Sequence, residues 1–248
     1  MLLTAVAILL CIFGAGATVE ETILAWGEGV WMLLGLAMQF TIALVAAHAC
    51  VSSPPVYRFF NWLASLPNPS KPIQALMLAG IFSLFMGYLN WAVCLVSCAL
   101  FTPFILRRNP NVDIRLLICA SYLGIGTVWH GGLSGSAPLI LATPGNPLIN
   151  PSNGTPIVDR LYPVTETLYN NFNLVFICII GVTALVTTCL LHPRTGARTI
   201  STEEAEKILP KPPVLDEKAS TPASHIDQFR GWILLAVVLL AYPLGHSI

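Results

Sequence analysis

Apolar runs alternate with short polar stretches along the whole chain. The runs cover residues 1–17, 30–51, 72–106, 116–149 and 172–191, and another opens at 231. Between them lie polar stretches at 18–29, 52–71, 107–115, 150–171 and 192–230. A bilayer core of about 30 Å takes about 20 helical residues, so 1–17, 30–51 and 172–191 each predict one membrane-spanning helix. The run at 72–106 does not fit that measure. It is too long for one span, too short for two spans plus a turn, and interrupted at its centre by Gly87, Tyr88, Asn90 and Trp91. Lys71 precedes it and Arg107, Arg108 and Arg115 follow it, so the positive-inside rule puts both ends in the cytoplasm. These features predict a re-entrant helical hairpin, which is tolerated at membrane depth only where it lines a cavity. The alternative is a tight pair of short spans.

The run at 116–149 predicts a broken helix. Residues 127–138 contain Gly131, Gly132, Gly135 and Pro138, which continue a helix poorly. Ser134, Ser136, Thr143 and Asn146 bring hydroxyl and amide groups there without burying a charge. In transporters, half-helix N-termini face anionic groups, and unwound carbonyls coordinate Na⁺. Two breaks near mid-membrane would form two walls of one site. The candidate substrate- or ion-binding set is therefore Gly87, Asn90, His130, Gly131, Gly132, Ser134, Gly135, Ser136, Thr143 and Asn146. Structural alternatives are close helix packing for the Gly131–Ser136 region, an interhelical hydrogen bond for Asn90, and plain packing for the neighbouring Tyr88 and Trp91.

Composition narrows the class. The chain is 55% apolar and only 10% charged, whereas soluble domains average roughly 25% charged residues. This predicts an all-α polytopic membrane protein with the lipid bilayer as its surroundings. A net charge of zero leaves no basic stripe for nucleic acid. The seven cysteines form no CxxC and lie in or at the ends of apolar runs; they read as small buried hydrophobes, and no resident metal or cofactor is expected. With 18–29 and 150–171 outside, every Lys and Arg except Arg160 falls inside. A single crossing at 72–106 would invert everything after it, so the charges favour an even number of crossings. Residues 1–191 then form one transmembrane repeat and 192–230 a cytoplasmic linker. In the linker, Glu203, Glu204, Glu206 and Lys207 suit a short helix that Pro210, Pro212 and Pro213 end. Residues 231–248 read as the start of a second, truncated repeat.

Several stretches resemble one family. They are Asn90-Trp91, Tyr122-Leu123-Gly124, the run from Gly131 through Ser134, Ser136 and Pro138 to Leu139, and Ala142-Thr143-Pro144-Gly145-Asn146-Pro147. Together they resemble the bacterial short-chain fatty acid transporter family, within a wider ion-transporter superfamily. The likeness runs from Trp26-Gly27-Glu28-Gly29 and Met38-Gln39 to Leu191. It implies a multi-pass protein of the bacterial inner membrane, not an enzyme, that moves acetoacetate and butyrate. It also implies two inverted repeats, each with a hairpin and a broken helix, of which this chain would hold about the N-terminal half.

The residues permit such a substrate. No Lys or Arg lies within a proposed span, so a carboxylate would be held by backbone N–H groups, hydroxyls and helix dipoles. No Asp or Glu lies there either, which favours Na⁺ over H⁺ as the coupling ion. His48 and His130 are the titratable candidates near membrane depth. Homo-oligomerisation stays open. Other readings are a different permease of the superfamily, a membrane scaffold, or an intramembrane serine protease using Gly132-Leu133-Ser134-Gly135. The last would need a histidine such as His192 or His246 to take the Ser134 proton.

Overall fold

A computed structural model describes residues 2–146, 148–149, 155–193 and 195–209. The later linker and the expected second repeat at 231–248 lie outside the described residues. Helices α1 (Leu2–Leu9), α2 (Val19–Val51), α3 (Pro54–Leu63), α4 (Pro72–Leu89), α5 (Trp91–Arg108), α6 (Ile114–Ser121), α7 (Ser136–Ala142), α8 (Asn171–Leu190) and α9 (Thr202–Ile208) make up the regular structure, with no strand among the described residues. By length and composition, α2, α4, α5 and α8 can each cross a membrane, and α6 with residues 124–142 forms one bent pair. This is an all-α polytopic membrane protein.

Three expectations about the first half are corrected. The apolar run at 1–17 holds a helix only as far as Gly14, short of a full span. The polar stretch at 18–29 is not a loop but the first third of α2. Thr18 accepts the Glu21 N–H while the Glu21 carboxylate accepts the Thr18 N–H at 2.9 Å. This reciprocal capping box starts the helix well before the hydropathy rises. At 33 residues α2 is about 50 Å long, so it overshoots a bilayer core. The polar stretch at 52–71 also holds a helix: Ser53 precedes Pro54 and Pro55, which open α3 from its first turn, where a missing N–H is harmless.

The hairpin at 72–106 is present as α4 and α5, antiparallel about Asn90. Phe82 and Phe101 meet with ring centroids 4.8 Å apart and planes tilted by 55°, and Ser83 Oγ lies 3.9 Å from Cys94 Sγ. Those pairs could not meet along one continuous helix. The run is nonetheless not too short for two crossings. The turn uses Asn90 alone, so each arm keeps 18 residues, about 27 Å. Asn90 achieves this because its backbone is extended, at φ −158° and ψ 129°, while its side-chain oxygen caps α5.

Phe60 of α3 fills the angle between the arms, meeting Phe82, Phe101 and Phe104 at centroid distances of 5.8, 5.1 and 5.8 Å. The hairpin base is polar and basic. Arg107 and Arg108 both donate to Asn61 Oδ1, and Arg107 lies 3.5 Å from Glu206 of α9. The linker after α8 returns here, with Ala205 fully buried against this end.

α8 crosses beside α4 in the opposite sense. Leu185 packs on Gly80, and Leu84 packs on Gly181. In that register Asn90 falls opposite Val175, about one turn inside the start of α8. The far end of α8 reaches the basic base, where the Asp113 N–H donates to His192 Nε2 at 3.3 Å.

Candidate functional site

The second break follows α6 as a π-helical turn, Gly124–Val128, and a 3₁₀ turn, Trp129–Gly131, before the chain re-enters a helix at Ser136. Close backbone contact explains its glycines. The Gly124 N–H donates to Ser83 Oγ at 2.9 Å, and a β-carbon on Gly124 would run into the Ser83 carbonyl oxygen. Gly87 backs onto Gly124, Gly132 onto the Tyr88 backbone, and Gly135 onto the His130 carbonyl, each with no room for a side chain.

Two hydrogen bonds lace the breaks together. The Leu133 N–H donates to the Tyr88 carbonyl at 2.7 Å, which satisfies an end carbonyl of α4. The Trp91 N–H donates to Ser134 Oγ at 2.9 Å, while Asn90 Oδ1 accepts from Ala92 N–H and Val93 N–H at 2.9 and 3.1 Å. The first three amides of α5 are thus held by Ser134 and Asn90. This corrects the expectation of a bare half-helix N-terminus facing an anion: the dipole remains, but its N–H groups have internal acceptors. Ser134 Oγ–H and Asn90 Nδ2 have no acceptor among the described residues. Both side chains are half-buried.

Other members of the candidate set fall around this clasp or away from it. The ring of His130 stacks on Trp129 at 4.0 Å between centroids, and the residue is exposed. Ser136, the first residue of α7, is exposed as well. Thr143 and Asn146 turn to their own backbone. Thr143 Oγ1 donates to the Leu139 carbonyl at 2.7 Å, and Asn146 is buried between the Thr143 carbonyl and the N–H groups of Leu148 and Ile149. They shape the exit from α7.

Asn173 is a polar member that the pattern reading passed over. Its Nδ2 donates to the Gly131 carbonyl at 3.0 Å and to the Leu168 carbonyl at 2.8 Å, so α8 holds the break from the third side. The available signal was an amide in the first turn of an otherwise apolar run. Phe40, midway along α2, closes the fourth side edge-on against Trp91 at 5.1 Å.

Spanning helices around two interlocked helix breaks define a multi-pass membrane protein with a transporter-like centre. The short chain fatty acid transporter model matches residues 1–244, and the chain belongs to that family. It is 35% identical over 218 residues to an Escherichia coli K12 protein named, provisionally, a short-chain fatty acid transporter, covering 85% of this chain and 47% of the relative. It is 30% identical over 239 residues to a Haemophilus influenzae protein with the same provisional name, covering 96% of this chain and 52% of the relative. The chain therefore spans about half the length of the curated relatives it matches. No solved structure matches it.

The geometry opposes the protease reading. Ser134 Oγ accepts a backbone N–H from the hairpin tip, and His192 lies at the opposite, basic end of α8. His246 lies outside the described residues.

Proposed function

We propose that this chain forms one wall of a secondary-transport pathway for short-chain monocarboxylates such as butyrate and acetoacetate, with the substrate at the clasp between the hairpin tip and Gly131–Ser136. The observation that carries this reading is the lacing of the breaks, which leaves Ser134 Oγ–H and Asn90 Nδ2 as donors beside the α5 N-terminus. Those groups suit a single carboxylate: they bind it without a fixed cation and so permit its release. The apolar surroundings from Phe40, Tyr88 and Trp91 suit a short alkyl chain. Gly132 and Gly135 let the broken helix close onto the Tyr88 backbone and the His130 carbonyl, which fixes the shape of the clasp. Both arms of the hairpin start from the basic face, and its tip meets the second break about one turn inside the start of α8. Clasp residues include no carboxylate, so Na⁺ held by carbonyls and hydroxyls is favoured over a proton carried on Asp or Glu.

Proteoliposomes reconstituted with the protein should accumulate labelled butyrate. Asn90→Asp keeps an oxygen for the α5 cap but replaces the donor amide with a carboxylate, so uptake should fall at least about tenfold through a higher KM, with folding retained. Ser134→Ala should weaken uptake by a similar factor. If both variants transport normally, the clasp is not the site. If no short monocarboxylate is taken up, the substrate assignment is wrong.

A further inference from the structure

The outer side of α3 carries a feature that the clasp does not use. Phe60 points into the core, while Phe59 and Leu63 lie beside it and face Leu78, Ile81, Phe85 and Met86 of α4 across a groove of about 220 Å³. No charged or hydrogen-bonding side chain lines it. It follows more than two turns of α4 and opens sideways, the form of a seat for a flexible hydrocarbon chain and not for a compact solute.

Two cations neighbour the groove residues along the chain. Arg58 directly precedes Phe59, and Lys71 stands at the start of α4, two turns before Leu78. Among the described residues, four cations at this end are engaged: Arg107 by Glu206, Arg115 by Asp113, Lys207 by Glu203, and Arg108 by Asn61. Arg58 and Lys71 are exposed and have no side-chain acceptor among the described residues. Trp62, exposed beside Phe59 with ring centroids 5.9 Å apart, adds the amphipathic ring that settles at headgroup level. An apolar groove flanked by two unneutralised cations at the positive end of a membrane protein matches an anionic lipid.

We infer that the α3–α4 groove binds an anionic phospholipid of the cytoplasmic leaflet, one acyl chain lying along Leu78, Ile81 and Phe85 and the phosphate held between Arg58 and Lys71. The inference rests on the membrane class of the protein and is independent of its substrate. The site would brace α3 against the hairpin arm that carries Asn90.

The test is native mass spectrometry of the protein released from nanodiscs of equal phosphatidylglycerol and phosphatidylcholine. The wild type should retain one phosphatidylglycerol in preference to phosphatidylcholine, by about fivefold for each cation engaged, and the preference should shrink as salt rises. Arg58→Gln with Lys71→Gln, both at exposed positions, should bring the two lipids to parity while the protein still elutes as one species. Ile81→Trp should fill the groove and lower retention of both lipids. Equal retention of the two lipids by the wild type overturns the proposal, as does an undiminished preference in the double variant. So does displacement by inorganic phosphate alone, which would mean an anion site without a chain. Retention of no lipid would mean that protein covers the groove, and it overturns the proposal too.

Discussion

Gly124→Ala is expected to lower the melting temperature in neutral detergent by roughly 6–12 °C, while Gly126→Ala, two residues on, leaves it unchanged or slightly raised. The contrast isolates one atom. A β-carbon on Gly124 meets the Ser83 backbone oxygen, whereas one on Gly126 meets nothing within 4 Å. Overpacking a core ordinarily costs about 1–3 kcal/mol. The top of that range applies here, because the obstacle is α4 backbone and cannot rotate away, and Gly87 backs onto the same point. For a protein of this size about 3 kcal/mol corresponds to roughly 6–12 °C. Separating the two backbones would also lengthen the bond from Gly124 N–H to Ser83 Oγ and pull the Leu133–Tyr88 bond out of register. A Gly124→Ala protein that melts with the wild type would show that α4 and the broken helix do not touch as described.

Asp113→Ala should cost about 3 kcal/mol, combining a lost helix cap with several buried hydrogen bonds. The Asp113 carboxylate is fully buried and accepts from the Arg115 and Leu116 N–H groups at the start of α6, from the Arg115 guanidinium at 2.8 Å, and from the Arg198 N–H at 2.9 Å. One side chain thus caps the broken helix and ties the returning linker to the hairpin base. The Arg115 guanidinium, helped by the backbone donors, holds its carboxyl well below the usual carboxylate range. The sign follows from linkage. A depressed folded-state pKa gives stability that is complete above the unfolded value of about 3.9 and is lost as pH falls below it. The wild type should therefore lose melting temperature below about pH 4, while Asp113→Asn, less stable at neutral pH, should show a flatter profile there. Parallel profiles for the two proteins would remove Asp113 from this role.

Both residues lie where the one-dimensional pattern was least informative. Hydropathy and charge placed the hairpin arms, the broken helix and α8, because a bilayer requires each apolar run to satisfy its own backbone and sorts cations to one side. They missed the start of α2, since its first third carries Glu20, Glu21 and Glu28 and its helicity comes from the Thr18–Glu21 box and not from hydropathy. They missed α3 because 52–71 is polar overall and opens on Pro54 and Pro55, although proline in a first helical turn is harmless. The Asp113 cap had a visible local signal, an aspartate directly before an apolar run, but its bond to Arg198 joins residues far apart in the chain.

The candidate site divides in the same way. Asn90, Ser134, Gly131, Gly132 and Gly135 were legible as breaks, because glycine and polar residues inside a membrane-length apolar run have few other uses. Their roles were not. That Asn90 caps α5, that Ser134 takes the Trp91 amide, that Asn173 reaches Gly131 and that Thr143 and Asn146 serve their own turn all depend on which segments lie within 3 Å of each other.

By itself the sequence determined the class of protein and the positions of both breaks, since each follows from local composition against the fixed thickness of a bilayer, while the family showed in the resemblance of its motifs. Only the tertiary structure decided that the breaks interlock, which donors stay free at their junction, and that α3 leaves an apolar groove beside unpaired cations. Hydrogen bonds and backbone contacts act over a few ångströms in space, and separation along the chain does not reveal them.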